Sequence, residues 1–541
     1  MNFEHIISAN KSRNYFSAFN ENPKSYDEIL LKQGLQAFQT KLNTNYLLPG
    51  NKNREINFYG EEVSPYLLTG LGIHYSKSKV SELISNAVTV SNEWSILDYS
   101  KRLEILLSSL EKVKTRFFEL AFATMHTTGQ SFLMSFQASG PHACDRALEV
   151  LATASEQLGY YPKEVNWIKN MGKFDLVLKK NYKPIPKGIA LVIGCSTFPT
   201  WNSIPGLYAS LITGNPVILK PHPKAVYPIA IFIEELKNAL IEANINPNVV
   251  QLAIDGTNDP ITKELVEHES IQLIDYTGGN LFGDYIESVG KTCFTEKAGI
   301  NSILIDSCND FDKVAQNIAF SVSLYSGQMC TAPQNIYIPE NGILTDSGIL
   351  SYDDCFDKLK TAFKNLFDNP KAAAPTLGAI QNEQTKKRIL DFRGKFSFTE
   401  FNSHVVNEEF PSARIMTPTL IEFNAKDSSE FLKEVFGPIA FIIKTTSFEE
   451  SLSIIKTSAK THGAITCSTY TLDQTKMSNI ESEMNSVFTP VSFNFIGAAF
   501  VNQHAAFSDL HVSGGNPSGN ASFTNAEFIN KRYIWIGNRY M

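Results

Sequence analysis

Ile189-Ala190-Leu191-Val192-Ile193-Gly194 is a short, unbroken apolar run. Pro216-Val217-Ile218-Leu219, Val249-Val250-Gln251-Leu252-Ala253-Ile254, Ile271-Gln272-Leu273-Ile274 and Ser302-Ile303-Leu304-Ile305 repeat its pattern. Helical stretches lie between them, at 204–211, 225–243, 260–268 and 281–289. Buried strands alternating with helices predict a parallel sheet covered on both faces, an α/β architecture. In such sheets ligands bind beyond the carboxyl ends of the strands.

Upstream, 180–188 reads as an extended link between modules. Apolar residues from Leu103 to Ala121 recur at three- and four-residue steps and predict one amphipathic helix. Further helices are expected over Ala138–Leu158 and Tyr26–Leu42. The first 75 or so residues read as an extension wrapped on the body.

The 541 residues imply several packed modules, at roughly 150 residues each. Apolar residues make up 43% and charged residues 19%, unlike a disordered chain or a disulfide scaffold. The net charge of −7 offers no footprint for nucleic acid and no polybasic membrane patch. Seven scattered cysteines without a Cys-x-x-Cys pair argue against a disulfide framework or a structural zinc, and for a reducing cytosol. No secretory signal and no membrane span are expected. No metal is expected either.

Three segments carry chemistry. Tyr325-Ser326-Gly327-Gln328-Met329-Cys330-Thr331 follows a helical stretch, 311–324, and precedes the β-like 335–338. A cysteine there, among a glycine and polar neighbours, suits a nucleophile toward carbonyl carbon. Thr295-Glu296-Lys297-Ala298-Gly299-Ile300-Asn301 places a carboxylate before a glycine turn; a glutamate that reaches the cysteine serves as general base. Ile274-Asp275-Tyr276-Thr277-Gly278-Gly279-Asn280 reads as strand, glycine turn and helix, a geometry that seats pyrophosphate on backbone amides.

Together these features resemble the aldehyde dehydrogenase superfamily, over nearly everything from residue 80 onward. Gly327-Gln328-Met329-Cys330 matches the Gly-Gln-x-Cys nucleophile motif. Glu296 lies at the usual spacing ahead of it. Thr213 to Pro221 matches the cofactor-domain strand, whose lysine, here Lys220, contacts the adenosine ribose. Tyr276-Thr277-Gly278-Gly279 stands where the family has Phe-Thr-Gly-Ser. Glu434-Val435-Phe436-Gly437-Pro438 matches Glu-x-Phe-Gly-Pro, whose glutamate holds the nicotinamide ribose. Gly60-Glu61-Glu62-Val63-Ser64-Pro65-Tyr66 and Gly140-Pro141-His142-Ala143-Cys144-Asp145-Arg146 look like the phenylacetic acid degradation (ring-opening) branch, here without the hydratase domain that some relatives fuse.

The resemblance implies two doubly wound parallel-sheet domains plus an oligomerisation β-arm. The expected boundaries are an extension over 1–75 and a cofactor-binding domain over 76–295, with part of the arm near 165–187. A catalytic domain follows over 296–500, then a C-terminal return and oligomerisation tail over 501–541. It implies attack of Cys330 on an aldehyde, hydride transfer to NAD(P), and hydrolysis of the thioester by water that Glu296 activates. Phe198, Met329 and Thr331 are expected beside the nucleophile, with Phe495 and Phe493 approaching.

Three departures stand out. Thr197 occupies the family's oxyanion asparagine position, so its hydroxyl is the expected donor, with Asn202 as a weaker candidate. Pro223 replaces a glutamate common in NAD-preferring members, and His222 or Lys224 can then pair with a 2′-phosphate; NADP is expected, with NAD possible. Ala298 stands where the family has glycine, and alanine takes positive φ less freely. The expected activity is NAD(P)-dependent oxidation of an aldehyde, a CoA-bound semialdehyde of phenylacetate degradation, to the acid. The alternatives are a CoA-acylating enzyme or a scaffold for a separate hydratase or other pathway partner. A cytoplasmic homodimer or larger homo-oligomer is expected, its apolar tail 528–536 adding a strand to a neighbour's sheet.

Overall fold

A computed structural model describes residues 2–50, 57–399, 401, 405–500 and 506–541. The N-terminal segment holds α1 (Phe3–Ser12), α2 (Glu28–Lys41) and a hairpin of β1 (Phe58–Tyr59) and β2 (His74–Tyr75). Ile6, Phe19, Phe38, Tyr46 and Leu71 are all buried in the largest core of the molecule. Then come α3 (Val80–Ile96), α4 (Tyr99–Lys114), α5 (Phe117–Thr128), α6 (Phe132–Gln137) and α7 (Ala143–Leu158).

The single helix expected over 103–121 is two helices. Arg116 breaks it with φ −115° and ψ 14°, and its guanidinium bonds Glu119, Glu234 and Glu235. The apolar spacing survives the break because Val113 and Phe117 face the same core. The helix expected from Ala138 opens as a wide π turn, Ala138–His142. Pro141 inside that turn has no N–H to continue the ladder.

The first parallel sheet is assembled from β5 (Ile189–Ile193), β6 (Val217–Lys220), β7 (Val250–Leu252), β8 (Ile271–Thr277) and β9 (Thr292–Glu296), in the order β7-β6-β5-β8-β9. Helices α8 (Pro199–Ile212), α9 (Tyr227–Glu242), α10 (Thr262–Glu267) and α11 (Asn280–Ser288) connect them. Ala190 and Val192 enter one core while Ile189, Leu191 and Ile193 enter another. Both faces of β5 are therefore covered, which explains its unbroken apolar sequence.

The second parallel sheet uses β10 (Ser302–Ile305), β11 (Asn335–Pro339), β14 (Thr419–Asn424), β15 (Ile439–Thr445), β16 (Cys467–Tyr470) and β17 (Val491–Phe493), in the order β14-β15-β11-β10-β16-β17. Helix α12 (Phe311–Ser323) follows β10, and a small hairpin of β12 (Ile343–Thr345) and β13 (Gly348–Leu350) follows β11.

An antiparallel arm completes the fold: β3 (Glu164–Asn170), β4 (Asp175–Pro186) and β18 (Tyr533–Tyr540), in the order β18-β4-β3. The link expected over 180–188 is thus mostly the end of β4. The tail strand, expected on a neighbour's sheet, pairs with β4 of its own chain over Tyr533–Tyr540. Just before it, Arg532 is fully buried and forks onto Asp275 of β8 at 2.6 and 2.8 Å.

Candidate active site

Glu296 is the last residue of β9 and pairs with Thr277, the last residue of β8. Gly278 N–H donates to the Glu296 carbonyl at 3.0 Å. Lys297 N–H donates to Ser518 O at 2.7 Å, so the C-terminal return closes over this strand end. Ala298 is absent from the positive-φ residues, so Lys-Ala-Gly is accommodated without strain.

Cys330 follows three consecutive left-handed residues: Tyr325 (φ 50°), Ser326 (φ 51°) and Gly327 (φ 62°). That conformation costs a non-glycine residue about 1–2 kcal/mol, so contacts must hold it. Tyr325 donates to Thr128 O at 2.6 Å and Ser326 to Leu377 O at 3.0 Å. A Cβ on Gly327 would lie 2.4 Å from Gly437 O. The nucleophile turn therefore rests on the Glu434–Pro438 segment, and only glycine fits between them. Gln328 ties the turn to Ala379 and Gln381. Buried Asn301 donates to Cys330 O at 2.7 Å and Ala332 O at 3.1 Å, and accepts from the Ile465 and Thr466 amides.

Met329 (5% exposed) and Thr331 (9%) are buried, while Cys330 between them keeps partial access to solvent. Its sulfur lies 3.8 Å from His511 Nε2, which lies 3.2 Å from Glu296 Oε1. These three groups lie within 4.8 Å of one another. Asn202 Nδ2 donates to Glu296 Oε2 at 2.8 Å. Burial pushes the Cys330 thiol well above its ordinary pKa, and the Glu296 charge adds to this. Burial would raise Glu296 too, but the His511 charge and hydrogen bond, Cys330 and Arg146 hold it below its ordinary value. The carboxylate is therefore ionised although only 1% exposed.

Asn202 thus spends one of its two amide N–H groups on Glu296. Thr197 is partly exposed; its carbonyl accepts from Gln130, and its hydroxyl bears on the Cys195 thiol. Phe198 sits edge-on to Tyr325 and Trp201. Phe495 is half-buried and its carbonyl accepts from Tyr470. Phe493 is half-buried and packs against the second sheet's core.

Sequence reasoning gave no role to Trp201, Arg146 or His511. Trp201 lies between the other two, edge-on to the imidazole at 4.7 Å and under the guanidinium at 4.5 Å. Arg146 is fully buried, and none of its nitrogens hydrogen-bonds an acceptor among the described residues. Its helix shares the junction with the N-terminal segment: Asp145 accepts from Ser17 and Ala18, and His142 meets Glu21. His511 lies 181 residues beyond Cys330, in a stretch without local pattern.

On the other side of Glu296, Gly279 caps α11 with open space where a Cβ would stand. An open cleft of about 560 Å³ adjoins it, lined by Lys263 of α10 and by Tyr276, Leu281, Phe282 and Tyr285. Lys220 ends β6 and is paired with Asp255 at 2.8 Å. Burial, with Lys220 and Lys224 nearby, lowers His222 to about 4. It is neutral near pH 7, so among the two expected phosphate partners only Lys224 offers charge. Glu434 accepts from the Gly299 amide, which sets it across the Glu296 turn. Phe436 is half-buried, its carbonyl held by Arg388. A glycine-backed helix start, a lysine at a strand end and an exposed glutamate suit a dinucleotide.

The aldehyde dehydrogenase family model matches residues 72–529. The chain belongs to that family. An NAD-dependent aldehyde dehydrogenase from Burkholderia multivorans, 39% identical, superposes with a TM-score of 0.96 over 99% of this chain and 97% of that one. The family resemblance and the two-sheet fold therefore stand, and the chain is an enzyme of the aldehyde dehydrogenase class. Curated relatives are more distant. A 1-pyrroline-5-carboxylate dehydrogenase of Bacillus subtilis is 25% identical over 279 residues, 49% of this chain and 51% of its own length. The match thus spans about half of that relative. Another of that name, from Oceanobacillus iheyensis, is 23% identical over 494 residues, 85% of this chain and 86% of its own. No helix among the described residues is long and apolar enough to cross a membrane.

Proposed function

We propose that this aldehyde dehydrogenase oxidises an aldehyde to a carboxylic acid through a Cys330 thiohemiacetal and thioester. The observation carrying this reading is a partly exposed Cys330 beside an ionised, buried Glu296, whose own carbonyl is bonded to the dinucleotide turn. Cys330 Sγ attacks the carbonyl carbon. NAD(P), when bound, accepts the hydride. The Thr277-Gly278-Gly279 turn, Lys220 and Glu434 would hold it, with the apolar slot between α10 and α11 suited to the adenine. Glu296 then takes a proton from the water that attacks the thioester carbon, and Asn202 orients that carboxylate. Thr197 and the Cys330 N–H are the oxyanion donors in this reading. Residues 76–295 bind the cofactor and 296–500 carry the chemistry.

For the substrate we favour a CoA-bound semialdehyde of aromatic-acid degradation. Support comes from Gly60–Tyr66 and Gly140–Arg146. Glu62 of the first caps α9 by accepting from the Val226 and Tyr227 amides, and Arg146 of the second reaches the electrostatic neighbourhood of Glu296 and Cys330. Ionised Glu296 favours water over CoA as acceptor of the acyl group. NADP preference rests on Pro223 and Lys224; a strong NAD preference in kcat/KM overturns it. Apolar side chains exposed on the arm, Ile168, Ile534 and Ile536 among them, support a homo-oligomer, to be checked by sedimentation. Seven free cysteines support a cytoplasmic site of action.

The test is reduced-cofactor formation with a panel of aldehydes, CoA-bound semialdehydes and glutamate semialdehyde included, on wild type and Cys330→Ala. Free acid as product, lost in the variant, supports the reading. Acyl-CoA as product moves it to the acylating class. No turnover with any aldehyde leaves the scaffold role.

A further inference from the structure

Cys330 presents a problem that its own surroundings must solve. A thiol in a buried setting next to a carboxylate resists ionisation, yet only the thiolate is a competent nucleophile. Backbone geometry supplies no helix N-terminus here, because Cys330 follows a left-handed turn rather than starting a helix.

The geometry points to His511 as a further catalytic residue, whose Nε2 takes the proton of Cys330 Sγ to leave a thiolate–imidazolium pair flanked by Glu296. The S–H bond breaks, an Nε2–H bond forms, and the electron pair stays on sulfur. One nitrogen faces both partners, at 3.8 Å from Sγ and 3.2 Å from Oε1. A neutral ring with its proton on Nδ1 would aim the Nε2 lone pair at the Glu296 carboxylate. Protonation of Nε2 converts that repulsion into a charge-assisted hydrogen bond. Glu296 is kept in place by Asn202 on its other oxygen.

The ring is itself held. Trp201 packs edge-on against it, Phe523 lies across it at 6.3 Å, and the His511 carbonyl accepts from the Phe523 amide. The charged groups around it are Glu296 at the end of β9, Cys330, Asp509 two residues upstream, and Arg146 of α7, with Arg13, just past the end of α1, behind. Arg146 favours the thiolate. The net arrangement allows the proton to move between sulfur and nitrogen without entering solvent.

This inference rests on the thioester reading for its purpose but is tested apart from it. The readout is the pH dependence of Cys330 alkylation by iodoacetamide, located by peptide mass, in wild type and His511→Gln. The amide can still donate a hydrogen bond but cannot accept the proton. Wild type should alkylate rapidly at neutral pH. The variant should be slowed about 10²-fold or more there and recover only above the ordinary thiol range, and kcat/KM should fall about 10²–10⁴-fold. Superimposable alkylation profiles overturn the inference, whatever the enzyme oxidises. Should the variant fail to fold, the thiolate ultraviolet absorbance of wild type minus Cys330→Ser decides. A thiolate at neutral pH is expected; one that forms only above the ordinary thiol pKa refutes the pair. Failure of every aldehyde with a normal thiolate pair would strike the proposed function alone.

Discussion

At the scale of single residues, the site divides its labour between two ionisable groups whose surroundings push them apart. Glu296 stays charged in a dry setting; burial and that charge drive the Cys330 thiol up, which the proposed proton transfer to His511 offsets. Replacing Glu296 by Gln should slow deacylation about 10²–10⁴-fold, far more than it slows the first hydride transfer. Stopped-flow absorbance of the reduced cofactor would then show a burst of one equivalent per site; a slowed first turnover without a burst contradicts the assignment. Cys330 and Glu296 were legible from the chain because a glycine and a short turn accompany each. His511 was not, because its meaning lies in partners far away in sequence. Asn202 was legible as a polar residue near the site but not in its role, since nothing local says that its amide meets Glu296.

Elements set the precision of those atoms. Asn301 braces the nucleophile turn against the strand end at Ile465 and Thr466, and Asn301→Ala would orphan buried backbone groups on both sides. A loss on the order of 3 kcal/mol is expected, read as a lower urea midpoint, together with reduced kcat. Gly327→Ala should fold but lose most activity, because its Cβ would collide with Gly437 O and displace Cys330. Full activity in that variant would refute the close contact between the two segments. Strand positions were readable where both faces are buried, as in β5. Helix boundaries were not readable at Arg116, whose guanidinium is held by three carboxylates, because apolar periodicity passes straight through the break. The β-arm was least legible: its strands are exposed and mixed, so 180–188 carried no alternation from which to infer pairing.

Over the whole molecule, two buried ionisable side chains fasten the N-terminal segment and the tail strand to the body. Glu62 reaches from the N-terminal segment to cap α9, and burial raises its carboxyl to about 7 despite bonds from Tyr75, Tyr227 and Val226. The native state therefore holds this proton more tightly than the unfolded chain, whose glutamate titrates near 4.3. Its contribution is full below that value and is lost as pH rises through about 7. Glu62→Gln should remove a pH-dependent difference on the order of 3 kcal/mol across that window, measured by chemical denaturation at several pH values. A wild-type profile unchanged by the substitution would contradict it. At the other end, Arg532→Ala would strand the Asp275 carboxylate in the core and should cost about 3–5 kcal/mol, seen as a fall in Tm of the whole chain. Neither tie shows in local sequence, since each joins segments far apart. The Arg532 clamp also bears on biosynthesis. Asp275 belongs to a sheet whose five strands all precede Lys297, yet its counter-charge comes 257 residues later. The nascent sheet therefore carries an uncompensated carboxylate until Arg532 has been made.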